Sequence, residues 1–277
     1  MTAQKSTGPD LPPLPALAAP STRSFAVPLL DAITVEHGPA DLLGQFFALA
    51  DGAFRDRGLK LAFCNDFSIL RAVNEANRDS WYPLIPAYDP RGGAGPENAY
   101  FFLAYDDEEI VATVVGRVHD MPDGFGEHCR SLRLMYDDPT KAAAGESCTL
   151  LDEAAEVASG IRGCVVFSGG GWCKPGKARG RGLASLLARL SRAYALSRFG
   201  TDWTVSTVRR AHIPGGLVRA YGYTRLAFEF RWRSPASPGA PTSAADPLAL
   251  VYMPREELLS DMATFAAGLN RPSRAAE

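Results

Sequence analysis

The run Val165-Val166-Phe167-Ser168, then Gly169-Gly170-Gly171-Trp172-Cys173-Lys174-Pro175-Gly176-Lys177, then Arg179-Gly180-Arg181-Gly182-Leu183-Ala184 decides the fold. It reads as a β-favouring strand, a glycine-rich loop and the opening of a helix. Glycine lets a backbone approach a ligand closely and take positive φ. The first turn of a helix carries N–H groups without intrahelical acceptors, at the positive end of the helix dipole. Together these features make a phosphate site. Lys174, Lys177, Arg179 and Arg181 add full positive charge around it, and Ala184 leaves room for a bulky anion. Plainer readings compete, because glycine-rich turns before helices are common and a basic loop is often only solvated. The Walker pattern is absent, since no Gly-Lys-Ser/Thr closes the loop. The dinucleotide fingerprint lacks its third glycine, Ser185 standing in that place.

Working outward, 183–199 is the most regular helix of the chain. Leu183, Leu186, Leu187, Leu190 and Tyr194 form an apolar stripe, Arg189, Arg192 and Arg198 lie off it, and Gly200 closes it. Strands are predicted at 203–208, 224–233 and 248–253, with helices at 214–220 and 255–269. Upstream, Leu43, Phe46, Phe47 and Phe54 share one face of a helix over 39–57, and Gly58 ends it. A strand follows at 59–64, then a helix capped by Asn65 or Asp66. Residues 98–105 and 109–119 flank the polar turn Asp106-Asp107-Glu108 and read as an antiparallel hairpin. The Pro- and Gly-rich stretch 81–96 is a loop whose Trp81, Tyr82 and Tyr88 either wall a cleft or plug the core. Residues 25–35 read as an edge strand, 121–147 as irregular and 149–159 as a helix. Strands alternating with helices, but with one hairpin among them, predict an α+β (mixed α/β) fold with helices on the faces of a mixed sheet.

The 277 residues suffice for a substantial core, and residues 1–24 read as a disordered leader. A net charge of -2 argues against nucleic acid or an anionic membrane surface as partner. No apolar run is long enough for a membrane span. Five cysteines, odd in number and irregular in spacing, argue against a disulfide framework and for a reducing, cytoplasmic setting. No CxxC or HExxH occurs and the four histidines are scattered, so no metal is expected.

Arg179-Gly180-Arg181-Gly182-Leu183-Ala184 fits, at every fixed position, the pattern Arg or Gln, two residues, Gly, one residue, Gly or Ala. On this pattern the chain resembles the GNAT (GCN5-related N-acetyltransferase) superfamily. Leu217-Val218-Arg219-Ala220-Tyr221-Gly222-Tyr223 looks like the family's short helix ending in Gly plus an aromatic, and the hairpin 98–119 is similar to its second and third strands. The resemblance is clear over 164–230 and extends back to about 59. It leaves out the leader, an insertion at about 121–163 and a strand-helix extension at about 234–277; the insertion and the extension belong with the rest to one expected domain over 25–277.

The resemblance implies a mostly antiparallel sheet, flanked by helices and splayed between its fourth and fifth strands. It implies acetyl-CoA or another acyl-CoA as co-substrate. Val166, Phe167 and Ser168 would offer backbone partners to the pantetheine arm and the thioester. The pyrophosphate would sit on the N–H groups of Arg179, Gly180, Arg181, Gly182, Leu183 and Ala184, with Lys174 beside it. An amine, on a small molecule or a peptide, would attack the thioester directly, which needs a base, an oxyanion donor and an acid for the leaving thiolate. The family's tyrosine position falls on Val218. Tyr221, three residues on, is the candidate acid, and His212 the candidate base or orienting residue. Against these stand a core aromatic for Tyr221, a helix-capping loop histidine for His212, and a passive thiol for Cys173. Two alternatives keep the fold: a CoA-binding or regulatory module without turnover, and an acyltransferase whose donor is an acyl-carrier protein facing the basic loop. A homodimer stays open.

Overall fold

A computed structural model describes residues 26–142, 144–178, 180–234 and 248–270. The leader, Arg179 and much of the stretch after 234 lie outside the described residues. In chain order the elements are β1 (Val27–Pro28), α1 (Leu29–Ala32), α2 (Ala40–Arg55), β2 (Lys60–Cys64), α3 (Phe67–Ala76), β3 (Ala99–Asp106), β4 (Glu109–Met121), α4 (Phe125–Arg130), β5 (Ser147–Leu150), α5 (Asp152–Gly160), β6 (Gly163–Cys173), α6 (Leu183–Phe199), β7 (Trp203–Arg209), α7 (Leu217–Tyr221), β8 (Arg225–Arg233), β9 (Leu248–Pro254) and α8 (Arg255–Leu269).

The strands form one sheet in the order β1-β2-β3-β4-β6-β7-β9-β8-β5. Only β6–β7 pairs in parallel; the other pairs are antiparallel. This is the mixed, mostly antiparallel α+β sheet expected. Apolar residues alternate along its strands and feed two cores. On one face α2, α6 and α8 bury Phe46, Phe54, Leu186, Leu190 and Met262 against Phe102, Val166 and Met253. On the other, α3, the 81–96 loop and the segment 122–162 bury Leu70, Trp81, Tyr88, Phe125 and Ala158 against Phe101, Phe167, Val205 and Phe230.

Several elements depart from the sequence reading, each for a tertiary reason. The predicted edge strand at 25–35 shrinks to β1, because Leu29 turns inward as α1 begins and is fully buried. The predicted helix at 149–159 is split. Ser147–Leu150 pairs with β8, putting Cys148 opposite Trp232, and Asp152, at φ 49, marks the turn into α5. The segment 122–162 thus leaves the sheet at β4 and reaches its far edge at β5, crossing the face above β6, β7 and β9. Glu146 pins it there, accepting hydrogen bonds from the Tyr136 hydroxyl and Trp232 Nε1, both at 2.8 Å. Trp232→Phe removes one donor to a buried carboxylate and is expected to cost about 1–3 kcal/mol in a denaturant titration. An unchanged midpoint would show that the pair contributes nothing.

Arg189 and Arg192, read as lying off the apolar stripe of α6, are 6% and 0% exposed. α6 is covered nearly all round, so its arginines point into packed protein and must be paired there.

Candidate functional site

The site begins where two strands part. The β6–β7 register holds from Val165↔Trp203 to Phe167↔Val205. Beyond that point β6 stays with β4 as far as Cys173 and β7 stays with β9 as far as Arg209. The predicted strand at 164–168 therefore runs on through the glycines, crossing a bulge between Val115↔Gly169 and Thr113↔Trp172. Gly170 takes φ 58, and a Cβ there would stand 2.7 Å from Val115 Cγ2. A fork between β6 and β7 is the result. It leaves the backbone of Ser168 and Gly169 without a β7 partner.

Two tyrosines close the fork, one from each face. Tyr88 stacks on Phe167, with centroids 5.6 Å apart, and its hydroxyl donates to the Phe167 carbonyl at 3.4 Å. A Cβ on Gly169 would lie 2.5 Å from that hydroxyl, so glycine is what admits it. From the other face the buried Tyr223 hydroxyl meets the Ser206 and Ser168 side chains of the parting strands. Ser168 continues through Ser191 Oγ at 3.2 Å to the Tyr100 hydroxyl. Burial pushes both Tyr88 and Tyr223 above the ordinary phenol range, which keeps them protonated as donors. Of the aromatics in the 81–96 loop, Trp81 and Tyr88 are thus a plug. Trp81 also stacks on Trp172 at 5.2 Å. Tyr82 stays exposed with the Arg209 guanidinium over its ring.

α6 packs over β6 beside the fork, its Ser191 against Ser168. The helix begins at Leu183 as predicted, its N-cap Gly182 at φ 72 and ψ 10 with no side-chain cap. The first regular bond runs from Leu186 N–H to the Gly182 carbonyl at 3.5 Å. The N–H groups of Leu183, Ala184 and Ser185 therefore lack intrahelical acceptors. Gly180 and Gly182 are exposed, and nothing lies within 4 Å of a Cβ built on either. Buried Leu183 fixes the turn from behind.

The described cations of this loop, Lys174, Lys177 and Arg181, are paired. Lys174 Nζ lies 2.5 Å and Lys177 Nζ 3.6 Å from the Glu109 carboxylate, and Lys174 holds that carboxyl below its ordinary range. Arg181 turns back to the Arg57 carbonyl and to Asp106 at 3.8 Å. The acidic turn of the β3–β4 hairpin supplies their counter-charge, through Asp106 and Glu109. Among the described residues, positive potential at the helix start then comes chiefly from backbone amides.

Tyr221 ends α7, half-buried. Burial first, then Cys173 and Tyr223, push its phenol up to about 12. Burial alone raises the Cys173 thiol to about 11, which suits a passive thiol. His212 is exposed in the turn Arg210–His212, before α7 and away from Tyr221 at its far end. It does not cap α7, whose N-cap is Gly216 without a side-chain bond. A cavity of about 480 Å³ runs along α7, lined among others by Arg189, Val218, Gly222, Tyr223 and Asp261. Ser206 and Asp261 are residues here that the sequence reading did not name, while Tyr88 carried a signal as a loop aromatic and Tyr223 as the aromatic after Gly222.

Among the described residues no helix is long and apolar enough to cross a membrane, and no group of three His, Cys, Asp or Glu side chains is placed to hold a metal. No protein-family model and no curated protein matches the chain. Solved structures similar to it include aminoglycoside acetyltransferase AAC(6')-Ib in complex with coenzyme A and kanamycin. That match has 12% identity and a TM-score of 0.40, covering 72% of this chain and 96% of that one. Mycobacterium smegmatis RimJ in complex with CoA-disulfide matches at 13% and 0.41, covering 76% and 90%. Arabidopsis thaliana NAA60 in complex with acetyl-CoA matches at 13% and 0.39, covering 71% and 99%.

Proposed function

We propose that the protein is an acyl-CoA-dependent N-acyltransferase of the GNAT type, with acetyl-CoA or a related thioester as donor and an amine as acceptor. The observation that carries this reading is the uncapped start of α6, exposed at Gly180 and Gly182, on a helix whose Ser191 packs against Ser168 where β6 parts from β7. The amides of Leu183, Ala184 and Ser185 are where a diphosphate is stabilised, and the backbone of Ser168 and Gly169, without a β7 partner, can hold an extended arm. The amine nitrogen attacks the thioester carbon, the C–N bond forms and the C–S bond breaks. Tyr221 gives its proton to the leaving sulfur, and the proton released by the amine restores it. Arg179, in the matching motif but outside the described residues, adds charge to the diphosphate site. The free state of all five cysteines suits a reducing compartment.

Isothermal titration with CoA and acetyl-CoA tests the pocket, and thiol release with a panel of amines tests turnover. Absence of CoA binding would end the proposal. Tyr221→Phe is expected to lower turnover by about a hundredfold without changing CoA affinity; equal turnover would remove Tyr221 from the reaction. A second reading, a CoA-binding module without turnover, draws support from Val218 at the family's tyrosine position and from the exposed His212. Tight CoA binding without thiol release would favour it. A carrier-protein donor draws less support, because Glu109 already neutralises Lys174 and Lys177.

A further inference from the structure

α7 has five residues, too few to hold a helix by themselves. Its place must come from tertiary contacts, and the polar ones converge on its C-terminal end. Arg189 Nη1 donates to the Ala220 carbonyl at 2.8 Å and to Ser185 Oγ at 2.6 Å. Arg192 Nη2 donates to the Tyr221 carbonyl, and Arg192 Nε to the Ala188 carbonyl at 3.1 Å. The Arg192 guanidinium also lies 4.5 Å from the centroid of the Tyr223 ring. Two buried cations at a helix C-terminus satisfy its last carbonyls and oppose the negative end of its dipole.

Their counter-charge comes from α8. Asp261 accepts from Arg189 Nε at 2.9 Å and from Nη2 at 3.0 Å, and stands 3.7 Å from Arg192 Nη2. Gly222, at φ 77, leaves the space this needs, since a Cβ there would lie 2.5 Å from Asp261 Oδ2. Phe265, one turn along α8, receives the other face of Arg189 at 4.2 Å. The carboxylate therefore holds two guanidinium groups that hold the end of α7, on which Tyr221 sits, and the ring of Tyr223, whose hydroxyl reaches the fork.

We propose that Asp261 is a positioning residue for acyl transfer, acting through Arg189 and Arg192 to fix the end of α7 and the Tyr221 and Tyr223 side chains against the fork. α8 lies outside the stretch that resembles the transferase family, so on this view the C-terminal extension completes the site. The proposal rests on the acyltransferase reading for its effect on turnover, but not for its effect on the tyrosines.

The test is Asp261→Asn in the full chain, labelled with 3-fluorotyrosine. Fluorine NMR signals of Tyr221 and Tyr223, assigned by their Phe variants, are expected to be single and narrow in the parent. In Asp261→Asn they are expected to split or broaden, while the Tyr194 signal stays. The turnover number should fall about tenfold to a hundredfold with KM for the acyl-CoA and Kd for CoA unchanged. Asp261→Glu should recover much of the loss. Should Asp261→Asn not fold, Arg189→Lys serves, because it keeps the charge but loses the paired contact with the carboxylate. A folded variant with unmoved Tyr221 and Tyr223 signals overturns the proposal, as does one that melts lower but turns over at the parent rate. If the parent itself does not bind CoA, the acyltransferase reading fails, and the fluorine signals still decide the positioning claim.

Discussion

Gly182→Trp is expected to weaken CoA binding by about 10²- to 10⁴-fold while the protein stays folded. The estimate follows from what an anion would meet at the start of α6. The amides of Leu183, Ala184 and Ser185 are the donors that remain once the loop lysines are paired with Glu109. Each charge-assisted bond to such an amide is worth about 1.5–3 kcal/mol, so losing two weakens binding by about that range. An indole at 182 would stand in front of them. Its own fold cost is limited, because the position is exposed with nothing within 4 Å of a Cβ. The left-handed backbone, φ 72, adds about 1–2 kcal/mol of local strain. Gly182→Ala carries the same strain without the bulk and is the control. Titration of both with CoA, with thermal melts alongside, separates the causes. Parent-like affinity in Gly182→Trp would remove the helix start as the anion site.

This helix start was the most legible part of the chain, since glycine conformation and helix end effects are local and act through a few adjacent residues. The β3–β4 hairpin and α3 were legible for the same reason: a polar turn in one, Asp66 as N-cap in the other. What the sequence hid depends on distant neighbours. Arg189 and Arg192 look like solvent residues until Asp261, seventy-two positions from Arg189, is brought beside them. Residues 147–150 carry helix-compatible Leu150 and become strand because β8 offers an unpaired edge. Glu109 reads as a hairpin turn residue until the sheet sets it beside Lys174. The fork itself is a register fact: it exists because β6 and β7 each have a second neighbour that continues when their own pairing stops. Tyr88 could be singled out as a loop aromatic, but not placed, because its seat on Phe167 depends on how that loop folds over β6.

The seat of Tyr88 depends in turn on Arg117, and Arg117→Met is expected to destabilise the protein by about 2–4 kcal/mol. The guanidinium is fully buried in the middle of β4. It donates to the carbonyls of Ala87 at 3.2 Å, Gly92 at 3.2 Å and Met135 at 3.4 Å, and to Asp137 Oδ1 at 2.5 Å. One cation thus ties the 86–92 turn and the crossing segment to the central sheet. Burial pulls its pKa down and the Asp137 carboxylate pulls it back up. Methionine fills similar volume and avoids burying a charge, but it leaves the Ala87 and Met135 carbonyls without this donor, at about 1–3 kcal/mol each, while the Gly92 carbonyl keeps the Asp137 N–H at 2.9 Å. Partial rehydration of the loop returns some of that loss, which is why the full sum of the two is not expected. Asp137 itself is 57% exposed and regains water, so Asp137→Asn should cost much less. The two variants therefore differ in kind: one leaves the loop without its buried anchor, the other keeps a side-chain oxygen that can still accept from Arg117 Nη2. Urea titrations of both read the difference directly, and a midpoint for Arg117→Met no lower than that for Asp137→Asn would show that the Ala87 and Met135 carbonyls find other donors and that the loop, with Tyr88, is held by packing alone.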